Sequence, residues 1–163
     1  LSVIVGIDPG VSGAIAILST DYQVVHIYDM PSIEFKVGSG KRHWADEQRI
    51  FLALADHMPI SHAFLEEFPP RAPNGRVAIA VMFHSIGMVR GVLAAMGVPR
   101  TSVPPQVWQG DLTVKKGKDG AHARARELMP KGAGLWFPKG SHGRSDAALI
   151  AYWGIREFQK IAG

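Results

Sequence analysis

The sequence contains no cysteine. That excludes disulfides, thiolate metal sites and cysteine nucleophiles, and it suits a reducing interior. No run approaches the roughly 20 apolar residues that a membrane span requires, so no membrane partner is expected. The N-terminus shows no basic segment leading into an apolar run and a cleavage site, so no secretory signal is expected. The Gly-x-x-x-x-Gly-Lys-Ser/Thr string is missing; Lys118-Asp119-Gly120 does not replace it, and no nucleotide cofactor is expected. Repeats, low-complexity tracts and linkers are absent too. The 163 residues fit one domain, 1–163, large enough to bury a real core. Acidic residues are scarce, 14 against 18 lysines and arginines, so the chain carries a net charge of +4.

A basic balance favours a polyanionic partner, because lysine and arginine bind phosphates and release counterions. Many small basic proteins nevertheless bind no nucleic acid, so the placement of the charge matters more. Lys36, Lys41, Arg42 and His43 lie in a Gly/Ser-rich stretch, and Lys115, Lys116 and Lys118 lie in another glycine-containing stretch. Both read as mobile loops suited to phosphate contact.

The first thirty residues read as strands. Ser2–Asp8 is β-branched and apolar, as a buried central strand is, and Gly13–Ser19 and Gln23–Tyr28 continue an antiparallel meander. Trp44–His57 has helical spacing, with Trp44, Phe51, Leu52, Leu54 and Ala55 as its apolar stripe. His62–Glu67 reads as a short strand ending in acids, and Pro69–Gly75 as a turn. Val77–Met96 is a long apolar helix, expected to pack mostly on the sheet, with Gly87 and Gly91 allowing a close helix partner. A strand at Thr101–Val103, a helical start at Pro104–Asp111, a basic helix at Ala121–Met129, a loop at Pro130–Gly140 and a helix at Arg144–Ile161 complete the chain. The last helix shows a stripe of Ala147, Ile150, Ala151, Gly154, Phe158 and Ile161. A meander followed by alternating helices and strands gives an α/β fold, a mixed sheet with helices on its faces.

With so few acids, their positions carry information. Asp8 ends an otherwise apolar strand, and Pro9 holds it extended. Glu66 and Glu67 end the second buried strand, and Asp146 sits in the first turn of the last helix, four residues after His142. Carboxylates gathered from three distant segments suit a hard divalent cation, and two such ions hydrolyse phosphodiesters. Each acid also has a plainer reading. Asp8 suits a turn, Glu66 and Glu67 a solvated strand end, Asp146 a helix N-terminus, and His142 a loop.

The order of these pieces resembles the RuvC-type Holliday-junction resolvases, over nearly the whole chain. Val5-Gly6-Ile7-Asp8-Pro9-Gly10 with Ser12-Gly13 resembles their first strand, Phe64-Leu65-Glu66-Glu67 their second acidic strand, and Asp146-Ala147-Ala148-Leu149-Ile150-Ala151 the start of their last helix. Val103-Pro104-Pro105-Gln106-Val107-Trp108 looks like the phage-related branch. The resemblance implies a ribonuclease-H-like mixed five-stranded sheet flanked by helices, a homodimer, magnesium with manganese as a substitute, and paired nicks across four-way or branched DNA. It carries over Asp8, Glu66 and Asp146 as metal ligands and catalytic residues.

Many relatives have an aspartate where this chain has His142, which implies a ligand better suited to manganese or an acid–base group. Phe68 is the nearest aromatic to the wedge position of relatives, and a core phenylalanine is the other reading. Arg71 and Arg76 flank that segment as phosphate contacts, and Arg144 joins the DNA-binding set. The cytoplasm of a bacterium or phage-infected cell is the expected setting, with an organelle as the other. Competing functions are a broader branched-DNA or RNA–DNA hybrid nuclease, an inactive junction binder, and a sugar-kinase- or actin-like nucleotide binder, which normally needs two such domains.

Overall fold

A computed structural model describes residues 2–67 and 75–162. The expected meander forms β1 (Val3–Asp8), β2 (Ala14–Ser19) and β3 (Val24–Asp29). It is followed by β4 (Ser32–Val37), β5 (Gly40–Ala45), α1 (Glu47–Ala55) and β6 (Ile60–Glu66). Then come α2 (Arg76–Ala95), β7 (Arg100–Val103), α3 (Pro105–Asp111), α4 (Gly120–Leu128), α5 (Ala133–Trp136) and α6 (His142–Ala162). The main sheet has five strands in the order β3-β2-β1-β6-β7. Its β1–β2 and β2–β3 pairs are antiparallel, and its β1–β6 and β6–β7 pairs are parallel. The parallel half needs crossovers, which α1 and α2 supply.

The sheet separates two apolar layers, as alternating side chains require. Ile4 and Phe64 pack with Trp108 and the buried face of α6. Val5, Ile7, Ala63 and Leu65 pack on the other side with Ile50 of α1 and Val89 of α2. Gly6 shares the parity of Ile4, and α6 crosses β1 there so closely that a Cβ would lie 2.2 Å from the Ala147 carbonyl oxygen. Only glycine allows that crossing, and the crossing brings the first turn of α6 to the end of β1.

Several sequence expectations need correction. Residues 36–42 do not form a mobile loop: Lys36 and Lys41 face each other across the β4–β5 hairpin, a separate two-stranded sheet. Trp44 belongs to that hairpin, not to a helix, and stacks on Phe35 with ring centroids 3.8 Å apart. The helix begins later because the Asp46 carboxylate accepts a bond from the Arg49 amide at 3.1 Å, capping α1. Its buried face is Ile50, Ala53 and Leu54, while Phe51 and Leu52 are exposed. The 130–140 segment contains the single turn α5. In α6, Ala147 to Ala151 and Ile155 are buried, but Ile161 is exposed.

Helix α2 differs most from expectation. Its apolar residues run around all sides, yet only Ser85, Ile86, Val89 and Leu93 are buried. By length and composition this helix is apolar enough to cross a bilayer, contrary to the reading of the sequence. It packs one stripe on the sheet and leaves Val77 and Phe83 exposed, with open space beside Gly87 and Gly91.

Candidate active site

Strand parity and register bring two acids together. Ile7 of β1 pairs with Leu65 of β6, so Asp8 and Glu66 follow side by side one step later. Both have the parity of Ile4 and Phe64, on the α6 side. Glu67 turns to the other side, where Arg90 of α2 lies 3.8 Å from it. Asp146 arrives on α6 through the crossing at Gly6. A second close approach fixes the helix start: a Cβ on Gly143 would lie 2.3 Å from the Ser12 carbonyl oxygen.

All three carboxylates are half-buried. Burial pushes Asp8 up to about 6, only partly opposed by the Gly10 amide, which donates to it at 3.3 Å. Glu66 rises to about 8 through burial and then through the charge of Asp8. Asp146 rises to about 7 for the same two reasons. Their charges therefore act on one another. As the side chains lie, however, no three acidic or histidine groups among the described residues stand close enough together to hold an ion. The donor set fits a hard divalent cation: hard oxygens, charges in want of a cation, and a Glu66 Oε1 without a protein hydrogen bond among the described residues. The other oxygen, Oε2, accepts a bond from the Trp108 indole N–H at 2.7 Å.

Two cavities meet here. One, of about 840 Å³, has Asp8, His142 and Asp146 on one side and Lys41, Arg42 and His43 of the hairpin on the other. The second, about 320 Å³, is lined by Lys115, Lys116 and Lys118 and shares His142 and Asp146 with the first. Both basic stretches thus border the acids. His142 opens α6, and its ring centroid lies 6.3 Å from that of His122 on α4. His122 Nδ1 is 3.3 Å from the hydroxyl of buried Ser145, which donates to the Ser141 carbonyl at 3.1 Å.

Other expected contact residues stand apart. Arg144 makes a two-pronged ion pair with Asp29 at 2.6 and 2.7 Å, so a phosphate would have to compete with that carboxylate. Arg76 is exposed at the start of α2, and Lys36 is exposed on β4; neither lines these two cavities. Phe68 and Arg71 lie outside the described residues. Trp108 and His122 are site neighbours to which the sequence reading gave no role. The Val103–Trp108 match drew attention to the segment of Trp108, but no local pattern marks its partner 42 residues away.

The sheet order and its parallel and antiparallel pairs define a ribonuclease-H-like fold, with acids on β1, β6 and α6. Within it, the chain is similar to the Holliday-junction resolvases. Thermus thermophilus RuvC, solved in complex with a Holliday junction substrate, superposes with a TM-score of 0.67 at 19% identity, covering 98% of this chain and 97% of that one. The yeast mitochondrial Holliday junction resolvase Ydc2 superposes with a TM-score of 0.64 at 15% identity, covering 99% and 80%. In sequence, the chloroplastic Holliday junction resolvase MOC1 of Chlamydomonas reinhardtii is 39% identical over 92 residues. That match takes in 55% of this chain and 10% of the relative's length. No family model matches the chain.

Proposed function

We propose that this chain is a divalent-metal-dependent endonuclease that resolves four-way DNA junctions by paired symmetric nicks. The observation that carries the reading is the meeting of Asp8 and Asp146 at two joined cavities, one bordered by Lys41 and Arg42 and the other by Lys115, Lys116 and Lys118, with Glu66 near enough to feel the charge of both acids. Acids alone would repel DNA, and a basic groove alone would only bind it. Together they suit a phosphodiester held for hydrolysis.

Asp8, Glu66 and Asp146 hold the cations, magnesium in the first place and manganese as a substitute. When bound, two such ions activate water and stabilise the leaving oxygen. The lysines and Arg42 orient the backbone and set its register. A homodimer supplies the second cut, since two-fold symmetry in the protein matches that of the junction. The exposed face of α2, with Phe83 and open space beside Gly87 and Gly91, is the surface we assign to that contact. Residues 1–163 act as one nuclease domain. The organelle location of the algal relative widens the proposed setting, from the bacterial or phage-infected cytoplasm to any reducing compartment that holds DNA.

His142 is proposed as a catalytic group, either a ligand or an acid–base residue near the scissile phosphate. His142→Ala is expected to lower the cleavage rate by about 10²-fold or more, the scale of a lost general acid or base. Full activity of that variant across a magnesium and manganese series would remove His142 from the reaction. Removing both hairpin cations, Lys41→Ala with Arg42→Ala, is expected to weaken DNA binding and flatten its salt dependence by about two counterions. An unchanged slope of binding against salt would place the DNA elsewhere.

The reading itself is tested by offering a four-way junction, a flap, a duplex and an RNA–DNA hybrid in magnesium and in manganese. Preferential cutting of the junction supports it. Equal cutting of all branched forms or of the hybrid gives the broader nuclease, and tight binding without cutting gives an inactive junction binder.

A further inference from the structure

Trp108 is a large side chain with no exposure, placed at the candidate metal centre. Its neighbourhood holds it rigidly. It packs in the α6-side core with Phe64 and Leu112. The end of α3 is tied to α6, where the Trp153 indole N–H donates to Asp111 at 2.7 Å. The Arg124 guanidinium donates to the Leu112 carbonyl at 2.7 Å just beyond. The strand before α3 is fixed as well, since Val103 pairs with Glu66 itself. A ring so restrained points its single N–H at Glu66 Oε2 over 2.7 Å.

We infer that Trp108 is a positioning residue for the metal centre: its indole N–H fixes the Glu66 carboxylate by Oε2 and presents Oε1 to the cation. The inference rests on the metal-dependent reading proposed above. Indole suits the task for three reasons. It donates only, so the bond has one polarity. It is neutral, so Glu66 keeps the charge that a lysine or arginine partner would cancel. It is also too bulky and too enclosed to turn away, so the carboxylate plane is set before any ion arrives. Groups that orient metal ligands in this manner typically change metal affinity or activity by about 10–100-fold when removed.

Trp108→Phe removes the N–H and keeps an aromatic ring in the core. Direct manganese binding, followed by electron paramagnetic resonance without DNA, is expected to weaken by about 10–100-fold in this variant. Thermal unfolding in chelator reports separately on packing. Wild-type manganese affinity in Trp108→Phe would overturn the inference and leave the nuclease reading standing. A wild-type protein that binds manganese no better than Asp8→Asn would overturn the nuclease reading and the role of Trp108 with it.

The indole proton itself offers a second test that needs no change at Trp108. The Trp108 N–H resonance is expected to move in Glu66→Gln and on addition of magnesium. A resonance indifferent to both contradicts the assignment, even if Trp108→Phe fails to fold.

Discussion

Asp8→Asn is expected to slow cleavage of a four-way junction by at least about 10³-fold at saturating magnesium, a loss of roughly 4 kcal/mol of transition-state stabilisation. Asp8 is the hub of the site. Its charge acts on both Glu66 and Asp146, and it sits beside Glu66 at the end of the central strand pair. In the role proposed for Asp8, losing that carboxylate would remove a ligand and weaken the hold of the others on the same cations. The substitution preserves shape and still offers an oxygen to the Gly10 amide, so β1 is expected to fold as before. Junction binding should survive or tighten, because a negative charge leaves the DNA-facing cleft. Single-turnover cleavage, set beside a gel-shift measurement in calcium, separates the two effects. Loss of both together would point to misfolding; retention of both would remove Asp8 from the chemistry.

The second large effect is on stability, and its sign runs against the usual behaviour of carboxylates. Folded values of about 6, 8 and 7 for Asp8, Glu66 and Asp146 lie above the ordinary 3.8 and 4.5. The folded protein therefore holds protons that the unfolded chain releases, and metal-free stability falls as pH rises from about 4 to about 8. Taken singly, each group contributes on the order of 3–5 kcal/mol of destabilisation once ionised, and the total is less than additive because the groups raise one another. Glu66→Gln, measured in chelator at pH 8.5, is expected to melt several degrees above wild type, since about 1 kcal/mol moves the midpoint by roughly 2–4 °C at this size. Magnesium should raise the wild-type midpoint most at high pH, where protons no longer compete for the oxygens. A wild-type melting temperature in chelator that is flat from pH 5 to 8.5 would contradict this electrostatic account.

The acids were legible in the sequence for a physical reason. A wholly apolar strand that ends in Asp8-Pro9 has one polar group to explain, and in the second strand the apolar run Ala63-Phe64-Leu65 ends directly at Glu66. Sequence alone left Glu66 and Glu67 as alternatives until the family resemblance chose the first. The structure supplies the cause: Glu66 shares the parity of Phe64, whereas Glu67 turns toward Arg90. The five strands of the mixed sheet and the last helix were legible too, because hydrophobic period and the Gly/Pro punctuation agree over those stretches.

What escaped the sequence depended on partners far along the chain. The alternation of Ile33, Phe35 and Val37 is a strand pattern, but lysines, glycines and exposure obscured it, and the Phe35–Trp44 stack exists only once the hairpin has paired. Trp44 consequently read as the first turn of a helix that Asp46 in fact starts. For α2, an apolar composition specified a helix but not what covers it, and Val77 and Phe83 lie outside the core of the single chain. The bond from Trp108 to Glu66 joins α3 to β6, and neither segment contains a signal for the other.

Paired cutting is the central claim, and a supercoiled plasmid with one extruded cruciform tests it most directly. Two symmetric nicks made within one bound complex convert that plasmid to linear DNA without accumulation of nicked circles. The account predicts linear product in magnesium, none in chelator and none with Asp8→Asn. Nicked circles alone, or linear product that persists in Asp8→Asn, would contradict it.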